Sequence, residues 1–209
     1  MPKFYTHVDP KTTAVIVVDM TNGFCAPGAP IYVEMGYRFA PKLNDFLNQC
    51  RQQGLRVLYT THVYRADGAD LNPLARREHA EKGPSLIAGT RDVEIYPVCA
   101  PAKGEIVLEK HFYSSFYGTD LDQLLTVAGI QTLVITGVCT DVCCFATARD
   151  AMALGYDVVF LADLNGTFSH EDCGLGRFTD MQHHVATLNN LAATNADVME
   201  SDTFLTLFD

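Results

Sequence analysis

Ala14-Val15-Ile16-Val17-Val18 is an unbroken apolar run, β-branched from Val15 onward. A strand with one wet face alternates apolar and polar residues, so a continuous run fits a strand buried on both faces. The run ends on Asp19, and a loop rich in Gly and Pro follows from Asn22 to Pro30. Outward from there, short β-branched runs alternate with longer helical stretches. Pro41 to Gly54 reads as a helix, with Leu43, Phe46, Leu47 and Cys50 at helical spacing and Gly54 as its stop. Arg56 to Thr61, Glu105 to Leu108, Thr132 to Thr136 and Asp157 to Leu161 read as further strands. Asp120 to Ala128, Asp141 to Leu154 and Thr179 to Thr194 read as helices, and Asp197 to Met199 as a short sixth strand. Asp67 to Gly104 is less regular, with turns, polar residues and room for short helices.

Strands separated by helices imply parallel βαβ units with right-handed crossovers. The expected fold is α/β: a three-layer α/β/α sandwich around a mainly parallel, Rossmann-like six-stranded sheet. No repeat, low-complexity tract or linker divides the chain, so residues 1–209 read as a single domain. In open sheets of this kind ligands sit beyond the carboxyl ends of the strands. That rule locates the chemistry before any residue is chosen.

Composition narrows the function. Hydrophobic residues make up 48% of the chain and charged residues 19%, ample for one core. No apolar run approaches the roughly 18 residues of a membrane span. The N-terminal stretch from Met1 to His7 lacks the basic-then-apolar layout of a secretory leader. A cytoplasmic location is therefore expected. The formal charge is −10 with no lysine or arginine cluster, which argues against a nucleic-acid partner. A small anionic substrate held by one arginine stays compatible with it. Seven cysteines, an odd number spread through strand-like segments, read as buried thiols in a reducing compartment rather than a disulfide framework.

Three residues fall at strand ends. Asp19 follows the first strand, Lys110 the third, and Cys143 lies in the first turn of the helix after the fourth. All three should project toward one edge of the sheet. Each has a plainer reading: a turn-capping Asp, a solvated Lys, a small buried thiol. Their coincidence favours chemistry. Thr140 and Asp141 at the helix start would leave backbone N–H groups and the helix dipole beside Cys143, favouring a thiolate, and Lys110 would add positive charge. Asp19 could accept the thiol proton and later hand it to a leaving amine. Cys144, one residue on, turns about 100° toward the core. Cys139 precedes the helix and offers its backbone.

Three motifs carry a family resemblance. The first is Val15-Ile16-Val17-Val18-Asp19-Met20-Thr21-Asn22-Gly23-Phe24, and the second runs from Glu109-Lys110-His111-Phe112-Tyr113 through Phe116 to Leu121. The third is Ile135-Thr136-Gly137-Val138-Cys139-Thr140-Asp141-Val142-Cys143-Cys144, followed by Thr147, Asp150 and Ala151. In this order they resemble the isochorismatase-like cysteine hydrolases, which include nicotinamidases, carbamoylsarcosine amidases, and biuret and ureidoacrylate hydrolases. The resemblance covers nearly the whole chain. It implies a triad of Cys143, Asp19 and Lys110. It also implies a cis peptide between Val138 and Cys139, aiming the N–H groups of Cys139 and Cys143 at an oxyanion. Phe24 would be the aromatic wall beside Asp19, and the assembly a dimer or tetramer.

Two departures matter. Thr21 stands where the family often has Gln. The nicotinamidase metal site uses an Asp-x-His pair after the second strand, and this chain has His62 and Tyr64 there. His183 and His184 are adjacent on a helix and point apart, so core or surface roles are expected for both. No metal and no cofactor are expected. The expected reaction is cleavage of a C–N bond in a small amide, carbamoyl or ureido compound through a covalent thioester-type intermediate. Tyr64, Tyr113 and Phe116 are candidate pocket walls. Arg65, Arg76 and Arg77 are candidates for a substrate carboxylate, with solvated loop charge as the plainer reading. The rivals are a nicotinamidase-like amidase, a vinyl-ether hydrolase of the isochorismatase type, and a catalytically silent scaffold.

Overall fold

A computed structural model describes residues 7–208. The leader reading above falls mainly on residues 1–6 and to that extent lies outside the described residues. The strands are β1 (Thr13–Val18), β2 (Arg56–His62), β3 (Ile106–Lys110), β4 (Thr132–Val138), β5 (Asp157–Gly166) and β6 (Asp197–Met199). They form one sheet in the order β3-β2-β1-β4-β5-β6, and every pair is parallel. The strand order reverses between β1 and β4, which opens a crevice at their carboxyl ends.

The opening run reads correctly. Each residue of β1 is buried, because β1 is hydrogen-bonded on both edges and covered on both faces. One apolar layer contains Val15, Val17 and the inward face of α2 (Glu34–Gln52): Phe39, Leu43, Phe46 and Leu47. The other contains Ile16 and Val18 with residues of α4 (Leu121–Val127) and α5 (Phe145–Ala153). The remaining helices are α1 (Asn22–Cys25), α3 (Pro73–Lys82), α6 (Asp180–Thr194) and α7 (Ser201–Leu205). α6 starts on a capping box, in which Thr179 and Gln182 satisfy each other's backbone N–H groups. Among the described residues, no helix is long and apolar enough to cross a membrane.

β3 and β4 each run two residues past their expected ends, to Lys110 and Val138, and three other boundaries differ more. α2 begins at Glu34 and carries Pro41 inside it. Pro41 is exposed, so water can reach the carbonyl that its missing N–H leaves open. β5 runs on to Gly166 because it bulges against β4: Ile135 pairs with Phe160 but Gly137 with Asn165, so Leu161 to Leu164 bow out opposite Thr136 before pairing resumes. Asn165 holds that bulge, its Nδ2 donating to Ile135 O at 2.9 Å and Leu161 O at 2.7 Å. Thr136 donates to Leu164 O across the same gap. Gly137, at φ +126, is obligatory, since a Cβ there would lie 2.0 Å from Val18 O. The helix expected from Asp141 starts instead as a π-helical turn, Thr140–Cys144, that feeds α5.

Candidate active site

Asp19 leaves β1 in the left-handed region at φ 53, which turns its carboxylate into the crevice. Its N–H still donates to Thr60 O at 3.1 Å, and Thr60 Oγ1 donates to Asp19 Oδ1 at 3.0 Å. Lys110 ends β3 and lies in register with His62 on β2. Lys110 Nζ is 2.7 Å from Asp19 Oδ2, with both side chains fully buried. It also donates to Phe112 O at 3.1 Å and lies 3.4 Å from His62 Nδ1. Both Asp19 and Lys110 are also in hydrogen-bond contact with the Cys143 thiol. The structure thus brings Asp19, Lys110 and Cys143 together, as their strand-end positions imply.

The protonation state departs from expectation. Burial, the largest effect, lifts the Cys143 thiol to about 12; the Lys110 ammonium opposes this and Asp19 reinforces it. A neighbouring cation therefore does not leave a resting thiolate, because desolvation of the sulfur outweighs it. Lys110 is itself desolvated, yet its contacts with the Asp19 carboxylate and with Cys143 outweigh that and raise it above its ordinary value. It stays an ammonium.

His62 is the residue that sequence reasoning passed over. It is buried, its charged form is strongly disfavoured by burial and then by Lys110, and its Nε2 has no partner. Asp19, His62 and Cys143 offer ligand atoms within 4.8 Å of one another. The Lys110 ammonium already bonds all three, so a metal ion there would have to displace it. The pairing His62↔Lys110 follows from strand register, which the sequence pattern does not reveal.

The peptide between Val138 and Cys139 is cis. Beyond it, the N–H groups of Val142 and Cys144 both donate to Cys139 O at 3.1 Å, and the Cys143 N–H does not share that acceptor. Cys144 is fully buried in the core, as its helical phase implies. Phe24 is buried in α1, whose N-cap Thr21 donates its N–H to Asp19 O at 2.7 Å. Tyr64 packs edge-on against His62, ring centroids 4.7 Å apart, and Tyr113 lies tilted to His62 at 6.1 Å. Burial raises both phenols, and the Cys143 sulfur is among the nearby groups that add to the rise. Phe116 is spent on packing, stacked on Tyr156 at 5.8 Å.

The arginines separate. Arg65 is exposed and tied to Asp67 at 3.2 Å, and Arg76 Nε donates to Leu71 O. Arg77 instead lines a cavity of about 610 Å³ between α3 and residues 168–173, together with Glu78, Lys82 and His170. The triad itself is not among that cavity's walls.

Known proteins resemble this chain in both sequence and fold. The sequence model of the Isochorismatase domain matches residues 13–203. The chain is 33% identical over 174 residues to "Ureidoacrylate amidohydrolase RutB" of Caulobacter vibrioides, covering 75% of this chain and 77% of that protein. The protein of the same name from Rhizobium rhizogenes is 30% identical over 208 residues, covering 88% and 84%. A cysteine hydrolase from Pseudomonas syringae pv. phaseolicola superposes with a TM-score of 0.92 at 29% identity, covering 99% of this chain and 97% of that one. N-carbamoylsarcosine amidase from Thermoplasma acidophilum gives 0.69 at 26% identity, covering 91% and 97%.

Proposed function

The chain belongs to the isochorismatase family, and on that premise we propose that it hydrolyses a C–N bond of a small carbamoyl or ureido compound through a thiocarbamate on Cys143. The observation that carries the reading is the buried contact of Asp19, Lys110 and the Cys143 thiol. Asp19 accepts the thiol proton as sulfur attacks the carbonyl carbon, so the thiolate forms only during attack. The carbonyl electrons move onto oxygen, which the N–H groups of Cys139 and Cys143 receive, each worth roughly 3–4 kcal/mol. Asp19 returns the proton to the departing nitrogen, and the C–N bond breaks. A water that gives its proton to Asp19 then attacks the thiocarbamate and releases Cys143, which is reprotonated. Lys110 remains positive throughout and fixes the Asp19 carboxylate. No cofactor takes part.

Ureido and carbamoyl substrates are favoured by the names of the relatives, ureidoacrylate amidohydrolase and N-carbamoylsarcosine amidase. Tyr64, Tyr113 and Phe24 form the walls. A nicotinamidase-type centre is disfavoured by His62 and Tyr64, which stand where its metal-binding Asp-x-His pair would be. The setting is cytoplasmic, in keeping with cysteines that are all unpaired. A dimer or tetramer belongs to the same proposal, with exposed Ile106 and Val107 on edge strand β3 as contact surface.

Ammonia release screened over carbamoyl amino acids, ureido acids, biuret, nicotinamide and simple amides tests the reading. Turnover should concentrate on ureido and carbamoyl acids. Retention of full turnover by Cys143→Ala would overturn the covalent route.

A further inference from the structure

Outside the triad, one cluster converges without a role in this chemistry. Asp141 lies in the π-helical turn, His170 on the segment after β5, and His183 in the first turns of α6. His170 Nε2 is 2.8 Å and His183 Nδ1 3.6 Å from the same atom, Asp141 Oδ2. The three ligand atoms all lie within 4.8 Å of one another. Thr167 Oγ1 holds the other carboxylate oxygen, Oδ1, at 2.5 Å, which fixes Oδ2 toward the imidazoles. Aromatic rings flank the pair, Phe168 at 4.8 Å from His170 and Phe178 at 5.6 Å from His183.

The geometry points to a divalent transition-metal site, with zinc or cobalt as occupant. Metal–nitrogen and metal–oxygen bonds near 2.0–2.1 Å in a tetrahedron place ligand atoms about 3.3 Å apart. The observed 2.8 and 3.6 Å bracket that spacing. Two imidazoles and one carboxylate select zinc or cobalt over magnesium or calcium, which prefer oxygen ligands. The hydroxyl on the idle carboxylate oxygen is the kind of support that metal-binding carboxylates receive. His170 also lines the cavity beside α3, where the acids Glu78, Glu81, Glu171 and Asp172 outnumber Arg77 and Lys82 and leave a net acidic approach for a cation. A fourth position is left for water. His183 thus has a ligand role where its sequence gave it a core or surface one. His184 points the other way, bonding Thr140 Oγ1 at 2.9 Å and Ala162 O at 3.0 Å. A bound ion would clamp residues 167–183 onto the turn that carries Cys143, two residues beyond Asp141. This inference does not rest on the proposed substrate.

The test uses metal-stripped, tag-free chain carrying Cys173→Ser, which removes the exposed thiol. Zn²⁺ is followed by calorimetry and Co²⁺ by its visible absorption. One equivalent should bind with a micromolar or tighter dissociation constant, and Tm should rise with metal concentration. His170→Ala and His183→Ala should each weaken binding at least tenfold, while His79→Ala leaves it unchanged. Absence of saturable binding would overturn the inference. So would a thiolate-to-cobalt charge-transfer band in the Cys173→Ser chain, because it would put the ion on Cys143. The band is read on chain with both histidines intact, so failure of either alanine variant to fold does not block the test.

Discussion

Iodoacetamide offered to the resting protein at pH 7 should modify Cys173 well before Cys143. Burial holds the Cys143 thiol at about 12 against an ordinary 9.0, so at a given pH its thiolate fraction is lower by three powers of ten. A more basic thiolate is also a better nucleophile, and with a Brønsted slope of 0.4–0.5 about 16–32-fold of that loss returns. The net handicap is about 30–60-fold from protonation alone. Burial of Cys143, against the exposed Cys173, can only widen it. The rate for Cys143 should climb about tenfold per pH unit from pH 7 to 10, because the thiolate fraction does so below its titration point. Peptide mass spectrometry on timed aliquots reads both cysteines in one sample. Adding a slowly turned-over ureido acid should block Cys143 and leave Cys173 unchanged. Faster labelling of Cys143 than of Cys173 at pH 7 would refute the claim that proton transfer to Asp19 awaits substrate.

Lys110→Met removes one partner of a fully buried ion pair and should cost about 3–5 kcal/mol in urea unfolding, with loss of turnover; a cost under about 1 kcal/mol would contradict the pairing. Gly137→Ala should cost more than about 4 kcal/mol or prevent folding, because its Cβ would meet Val18 O at 2.0 Å. Gly155→Ala, at φ +93 in open space, should cost only about 1–2 kcal/mol by the same denaturation assay. Burial lowers His62 and His184 below 6.5. Each binds its proton more readily unfolded, so stability is full above about pH 6.5 and falls as pH drops below it. The slope should approach about 1.4 kcal/mol per pH unit for each histidine, and His62→Gln should flatten it in urea midpoints taken from pH 7.5 to 5.

Much of this was legible because strand ends are. Runs such as Thr132 to Thr136 announce buried parallel strands, and residues at or beyond the carboxyl ends of β1, β3 and β4 must then share one edge. What stayed hidden depends on contacts between distant segments. Pro41 reads as a helix start because nothing in the local sequence says that Glu34 to Ala40 will pack on the sheet. The bulge of β5 opposite Thr136 and the π-helical turn at Thr140–Cys144 leave no periodicity, since each is one local departure from a regular ladder or helix. His62 joins the site through register with Lys110, and His183 meets His170 only through the return of α6. The charge state of Cys143 turned on burial, which residue types alone do not supply.

The strand reversal between β1 and β4 has a consequence for how the enzyme comes into being. Asp19, Lys110 and Cys143 sit on separate crossovers far apart along the chain, and β1 is enclosed only once β4 has docked beside it. Such long-range pairing comes late in folding. A nascent or partly unfolded chain therefore carries no half-built reactive centre, and its cysteine behaves as a plain thiol. Activity recovered from denaturant should then track the global folding transition and serve as a sensor for completion of the whole sheet.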